Sequence, residues 1–133
     1  IAELMASVKN PGVFILDYVP NAKAARIREA GEEFFRIIRE AHPDVPIIFV
    51  EDSYVPRTQF NTKNYEDIHS RNQEQKALFK RLKKAGEKNI YYVPAEGMLG
   101  DDGEATVDSR HYTDIGNVRY VEHIMPVIRK ALR

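Results

Sequence analysis

Val45-Pro46-Ile47-Ile48-Phe49-Val50 runs apolar without a break from the turn residues His42-Pro43-Asp44 to the polar cluster Glu51-Asp52-Ser53. A stretch too short for a helix and lacking polar alternation suits a strand buried on both faces. Val13 to Leu16, set between Asn10-Pro11-Gly12 and Asp17, repeats the pattern, and Asn89 to Val93, closed by Pro94, repeats it more weakly. Strands hidden on both faces need helices between them in sequence to do the covering.

Those helices are legible. Between the first two runs Ile27, Ala30, Phe34, Ile37, Ile38 and Ala41 recur at three- and four-residue steps, with Glu32 and Arg36 as an i, i+4 pair outside the stripe. Ile68, Leu78, Leu82 and Ala85 mark a second helix stopping at Gly86, and Val118, Val121, Met125, Ile128 and Leu132 mark a third. Pro126 falls inside the third and is expected to kink or split it near Glu122, because it removes a backbone donor and crowds the preceding turn. Strand-helix three times over predicts an α/β class, with parallel strands joined by right-handed crossovers. No repeat, low-complexity tract or linker interrupts residues 1–133, which read as one domain.

The 133 residues are 43% apolar and carry 20 basic against 20 acidic side chains. That balance supplies no field to draw the chain to nucleic acid or anionic lipid, so neither is an expected partner. No apolar run approaches the roughly 18 residues of a membrane span. The lack of Cys excludes disulfides, thiolate metal sites and a cysteine nucleophile, and it fits reducing and oxidising compartments alike. His42, His69, His111 and His123 show neither H-x-x-x-H nor H-E-x-x-H spacing, so no metal is expected. No Gly-rich phosphate loop speaks for a nucleotide cofactor. The run of basic residues from Lys76 to Lys88 reads as a solvated helix end.

In open parallel sheets ligands gather where the strands end, here the loops Asp17 to Asn21, Glu51 to Tyr65 and Pro94 to Thr113. The last loop carries Asp108-Ser109-Arg110-His111 just ahead of Thr113, a good N-cap. A short turn there brings the carboxylate to one ring nitrogen, leaving the other to take a proton from a hydroxyl. Taken alone the spacing is weak, since composition can produce it and a loop histidine at a helix N-terminus is poorly placed to hold charge. Asn21 has two readings as well: an amide donor to a ligand, or the cap of a helix beginning at Ala22.

The longer string Asp108-Ser109-Arg110-His111-Tyr112-Thr113-Asp114-Ile115-Gly116 resembles the last sequence block of the SGNH (GDSL-like) serine acylhydrolases. Asp17-Tyr18-Val19-Pro20-Asn21 resembles the block whose Asn donates to the oxyanion hole. The resemblance covers nearly the whole chain. It implies the carboxy-terminal part of a three-layer, flavodoxin-like hydrolase sheet with the first strands missing. It further implies an esterase acting on a small-molecule ester, acylated carbohydrate among the options, with His111 as base then acid, Asp108 orienting it and Asn21 in the oxyanion hole. The family's Gly-Asp-Ser nucleophile block and its oxyanion glycine are not in this sequence. Ser7, Ser53, Ser70 and Ser109 lack the flanking residues, so the chain by itself is expected to be inactive.

Ser109 and Tyr112 stand where the family often has Gly and Pro or Leu, and Tyr112 either narrows the acyl pocket or packs. Asp17 is expected to hydrogen-bond loop amides, and Arg110 to meet an anionic substrate group or solvent. Tyr54 and Arg57, with Phe60, are the substrate contacts expected of the long second loop. In the family's strand order the missing first strand would lie beside Val13. That bare edge is expected to pair with a separate amino-terminal piece or a second copy. The opening Ile1-Ala2-Glu3-Leu4-Met5-Ala6, helix-like and without an initiator Met, fits a fragment. The rival from another class is a non-catalytic flavodoxin-like binding or scaffolding domain, with Asp108 and His111 structural.

Overall fold

In the computed structural model, which describes residues 1–133 apart from the side chain of Arg57, the three apolar runs form strands β1 (Phe14–Leu16), β2 (Ile47–Val50) and β3 (Ile90–Val93). They pair in parallel in the order β1-β2-β3, with Phe14 opposite Ile47 and Ile47 opposite Ile90. Helices α1 (Ala2–Ala6), α2 (Ala24–Ala41), α3 (Thr62–Lys84) and α4 (Asp114–Ala131) complete the chain. This is the expected α/β class, a parallel sheet between helical layers.

Alternation along the strands sorts the core into two halves. Phe14, Leu16, Ile47, Phe49 and Ile90 pack on Phe35 and Ile38 of α2 and on Leu78 and Leu82 of α3. Ile48, Val50 and Val93 point the other way, toward Ile124 and Ala131 of α4 and toward Met98, Leu99 and Ala105 of the last loop. β2 lies in the middle and is buried at every position, which is why its run is the least interrupted. Each such side chain taken from water contributes about 1.5–3 kcal/mol.

The helix faces differ in detail from their apolar periodicity. The α2 stripe is centred on Phe35, fully buried, while Phe34 is only half-buried. In α4 the expected stripe is rotated: Val118, Val121 and Leu132 are exposed, and the buried line runs through Gly116, Ile124 and Ala131. Apolar residues make up half of that helix, so periodicity offers a broad face and the sheet buries one side of it. Pro126 neither splits α4 nor ends it: the helix runs unbroken from Asp114 to Ala131. Pro126 and Glu122, whose carbonyl loses its donor, are both solvent-exposed, so the freed carbonyl is open to water. The second loop is shorter than expected, because Asn61 caps α3 by accepting from the Asn64 N–H at 3.1 Å.

β1 is the outer strand. Among the described residues it pairs with β2 alone, and Ile15, on the α4 side of the sheet, is 37% exposed. α4 packs over β2 and β3.

Candidate active site

Because the strands are parallel, the loops after β1, β2 and β3 converge on one end of the sheet. There they enclose a cleft of about 430 Å³ lined by Asn21, Asp52, Ser53, Arg71, His111 and Tyr112 among others. Each loop contributes a different kind of group.

Asp108 and His111 come from the loop between β3 and α4. Ser109 adopts a left-handed backbone with φ of 63°, which folds the chain so that Asp108 faces its own downstream amides. Asp108 Oδ1 accepts the N–H groups of Arg110 and His111 at 2.9 and 2.8 Å, and Oδ2 meets His111 Nδ1 at 2.7 Å. The backbone N–H of His111, then its ring, hold the Asp108 carboxyl down to about 2. An ionised carboxylate only accepts, so Nδ1 carries the hydrogen and Nε2 presents a lone pair. His111 is 73% exposed, so Nε2 is accessible from the cleft mouth. The loop is stapled at its base: Thr106 bridges Tyr112, Val107 N–H donates to His111 O at 2.9 Å, and Thr113 N–H donates to Ala105 O at 3.0 Å. Thr113 caps α4 as expected, accepting from Gly116 N–H at 3.1 Å.

Asn21 ends a short 3-10 turn, Val19–Asn21, directly after β1. α2 starts only at Ala24 with Lys23 in the cap position, so the helix-cap reading of Asn21 is wrong: two residues intervene. Among the described residues the Asn21 side chain has no hydrogen-bond partner, and it lines the same cleft as His111. Asp17, expected to bind loop amides, instead accepts the Tyr120 hydroxyl of α4 at 2.7 Å. Burial, and then that bond, push the tyrosine's pKa up.

Tyr112 packs, as one of its two readings has it, and it also reaches the cleft. It lies on the Tyr120 ring with centroids 5.7 Å apart while its hydroxyl pairs with Ser53 Oγ at 2.8 Å. Tyr54 is not brought to the cleft. It stacks on Tyr65 at 5.5 Å, meets His69 Nδ1 at 3.1 Å and lines a neighbouring hollow shared with the Glu96–Gly103 stretch. Phe60 is 89% exposed and lines neither space. Arg57 lies outside the described residues. Arg110 stands at the cleft rim.

Sequence reading missed the cleft floor. Asp52, after β2, and Arg71, on α3, form an ion pair at 3.3 Å with side chains 11% and 9% exposed. Asn72 clamps the Asp52 backbone from both sides, accepting its N–H and donating to its carbonyl, each at 2.8 Å. Burial outweighs the Arg71 charge and pushes the Asp52 carboxyl up to about 6. Glu51, also buried, accepts Tyr92 OH at 2.5 Å and Ala95 N–H at 2.8 Å, tying β2 to the loop beyond β3. One signal was available: Arg71, Asn72 and Gln75 are buried in the gap between Ile68 and Leu78, where an apolar stripe would otherwise continue. Among the described residues no group of three or more His, Cys, Asp or Glu stands together to hold a metal ion.

Residues 1–129 match the sequence model of the GDSL-like Lipase/Acylhydrolase family. No curated protein matches the chain. Among solved structures, a protein of Bacteroides ovatus ATCC 8483 described as a GDSL-like lipase superposes with a TM-score of 0.93 at 33% identity, over 98% of this chain and 39% of its own. A salicylyl-acyltransferase from a tetracycline biosynthetic pathway shares the fold with a TM-score of 0.77 at 17% identity, over 99% of this chain and 42% of its own. The family 3 carbohydrate esterase of Clostridium thermocellum does so with a TM-score of 0.61 at 16% identity, over 93% and 61%. The chain thus spans about two fifths of the length of the first two and less than two thirds of the third.

Proposed function

This chain belongs to the GDSL-like lipase/acylhydrolase family, and we propose that it supplies the base, its orienting acid and an oxyanion donor of an ester-hydrolysing site. The observation carrying this reading is that the Asp108–His111 pair and the unengaged Asn21 amide line one cleft. His111 Nε2 removes the proton from a serine hydroxyl as its oxygen attacks the ester carbonyl carbon. The oxyanion of the tetrahedral intermediate takes N–H groups from Asn21, a contribution of roughly 3–4 kcal/mol in sites of this kind. His111 then returns the proton to the departing alcohol, and water repeats the cycle on the acyl-enzyme. Asp108 holds the ring and stabilises the imidazolium.

The serine is proposed to come from a part of the protein outside this sequence. Ser53 is engaged by Tyr112, Ser70 donates to Asp67 O at 3.0 Å on α3, and Ser109 forms the turn between acid and base. The same reading gives the bare side of β1 an occupant, a separate amino-terminal segment or a second copy. The cleft walls carry Asp17, Asn64, Asp67 and Asn117, polar groups suited to the hydroxyls of an acylated carbohydrate.

In the full-length gene product His111→Ala is expected to lower kcat on an activated ester by about 10⁴-fold, while residues 1–133 alone hydrolyse none. Wild-type activity in that variant would overturn the assignment.

A further inference from the structure

We propose that Arg71 is the positioning residue of the oxyanion hole, its guanidinium fixing the two carbonyls that precede Asn21 and thereby aiming the Asn21 amide. The inference rests on the hydrolase reading above and adds a group that reading does not use.

Asn21 needs outside support. Its turn has three residues, braced locally by Asn21 N–H to Tyr18 O at 2.9 Å and Ala22 N–H to Val19 O at 3.2 Å, and its side chain has no partner among the described residues to orient it. An oxyanion donor works only if its direction is set before the charge appears. Support comes from α3 in two places. Tyr18 OH donates to the buried Gln75 Oε1 at 2.7 Å, and Arg71 Nη1 donates to Pro20 O at 2.9 Å and approaches Val19 O at 3.5 Å.

Arg71 is itself immobilised. A guanidinium has five N–H groups, and five protein acceptors face them. Besides those two carbonyls, Nε donates to Asp67 O at 3.1 Å, and Nη2 stands 3.3 Å from Asp52 Oδ2 and 3.5 Å from Asp67 Oδ2. With its donors committed inward and the residue 8% exposed, Arg71 has little left to offer a substrate directly. Asp52 is anchored in turn by Asn72, so a rigid path runs from the end of β2 through Asp52 and Arg71 to the turn of Asn21. Removing the fork leaves the Pro20 carbonyl without its donor and frees the turn to shift.

The test is a double-mutant cycle in the full-length protein, with kcat and KM measured on an activated ester for Arg71→Met, Asn21→Ala and the pair. Arg71→Met is expected to lower kcat roughly 10- to 100-fold with KM within about twofold, and to cause no further loss once Asn21 is Ala. An equal loss in both backgrounds, or a loss carried by KM, overturns the positioning role. If Arg71→Met does not fold by circular dichroism, Arg71→Lys decides. It keeps the charge beside Asp52 without the fork, so the same Asn21-dependent kcat loss is expected, and a wild-type kcat overturns the proposal. Failure of the hydrolase reading looks different: His111→Ala and Asn21→Ala would both retain wild-type kcat.

Discussion

Gly116, in the first turn of α4, lets the helix run against the backbone of Ala105, and replacing it tests how the acid and base loop is held. A Cβ at position 116 would stand 3.2 Å from Ala105 Cα, 2.9 Å from its carbonyl carbon and nearer still to its oxygen. The obstacle is main chain rather than the end of a flexible side chain, so Ala105 must retreat by about 1 Å to restore ordinary contact. That oxygen also accepts the Thr113 N–H at 3.0 Å, and Thr106 next to it bridges Tyr112. The displacement therefore enters the loop that carries Asp108 and His111. Alanine favours helix by up to about 1 kcal/mol over glycine, against roughly 1–3 kcal/mol for overpacking and about 1 kcal/mol for the weakened hydrogen bond. Gly116→Ala in the full-length protein is expected to lose roughly 1–3 kcal/mol in urea unfolding. At a temperature where it stays folded, kcat should fall about 100-fold if His111 moves by about 1 Å. An unchanged urea midpoint refutes the clash, and a destabilised variant with full kcat refutes the coupling between α4 and the Asp108–His111 loop.

Asp52 makes a pH prediction. Burial raises its folded-state pKa to about 6, above the unfolded value of about 3.9, so its proton stabilises the fold. That contribution is complete below about pH 4 and is lost as pH rises through 6, on the order of 2–3 kcal/mol at most. Asp52→Asn should flatten the fall in unfolding free energy between those pH values, and an unchanged slope would refute a buried, raised carboxyl. At the outer edge of the sheet, residues 1–133 alone are expected to self-associate in small-angle scattering, and Ile15→Lys is expected to reduce this by placing a charge on that edge. A monomeric wild-type chain with the edge solvated would count against β1 as an open pairing strand.

The sequence by itself determined the element order and the class of fold, because unbroken apolar runs alternating with helical stripes admit few arrangements besides a covered parallel sheet. It also determined the Asp108 to His111 turn, whose partners are three residues apart and need no distant neighbour. Tertiary structure decided what periodicity left open. In α4 the apolar face is broad, and only the position of the sheet selects the Gly116, Ile124 and Ala131 line over Val118 and Val121. The cleft floor showed in the sequence only as a gap in the stripe between Ile68 and Leu78, since Arg71 reads as one more charged helix residue until α3 is laid beside Val19 and Pro20, 52 and 51 positions earlier in the chain. Local chemistry can be read from spacing because the backbone limits what near neighbours can do. Contacts between remote segments depend on how whole elements pack, and that is settled by the shape of the core.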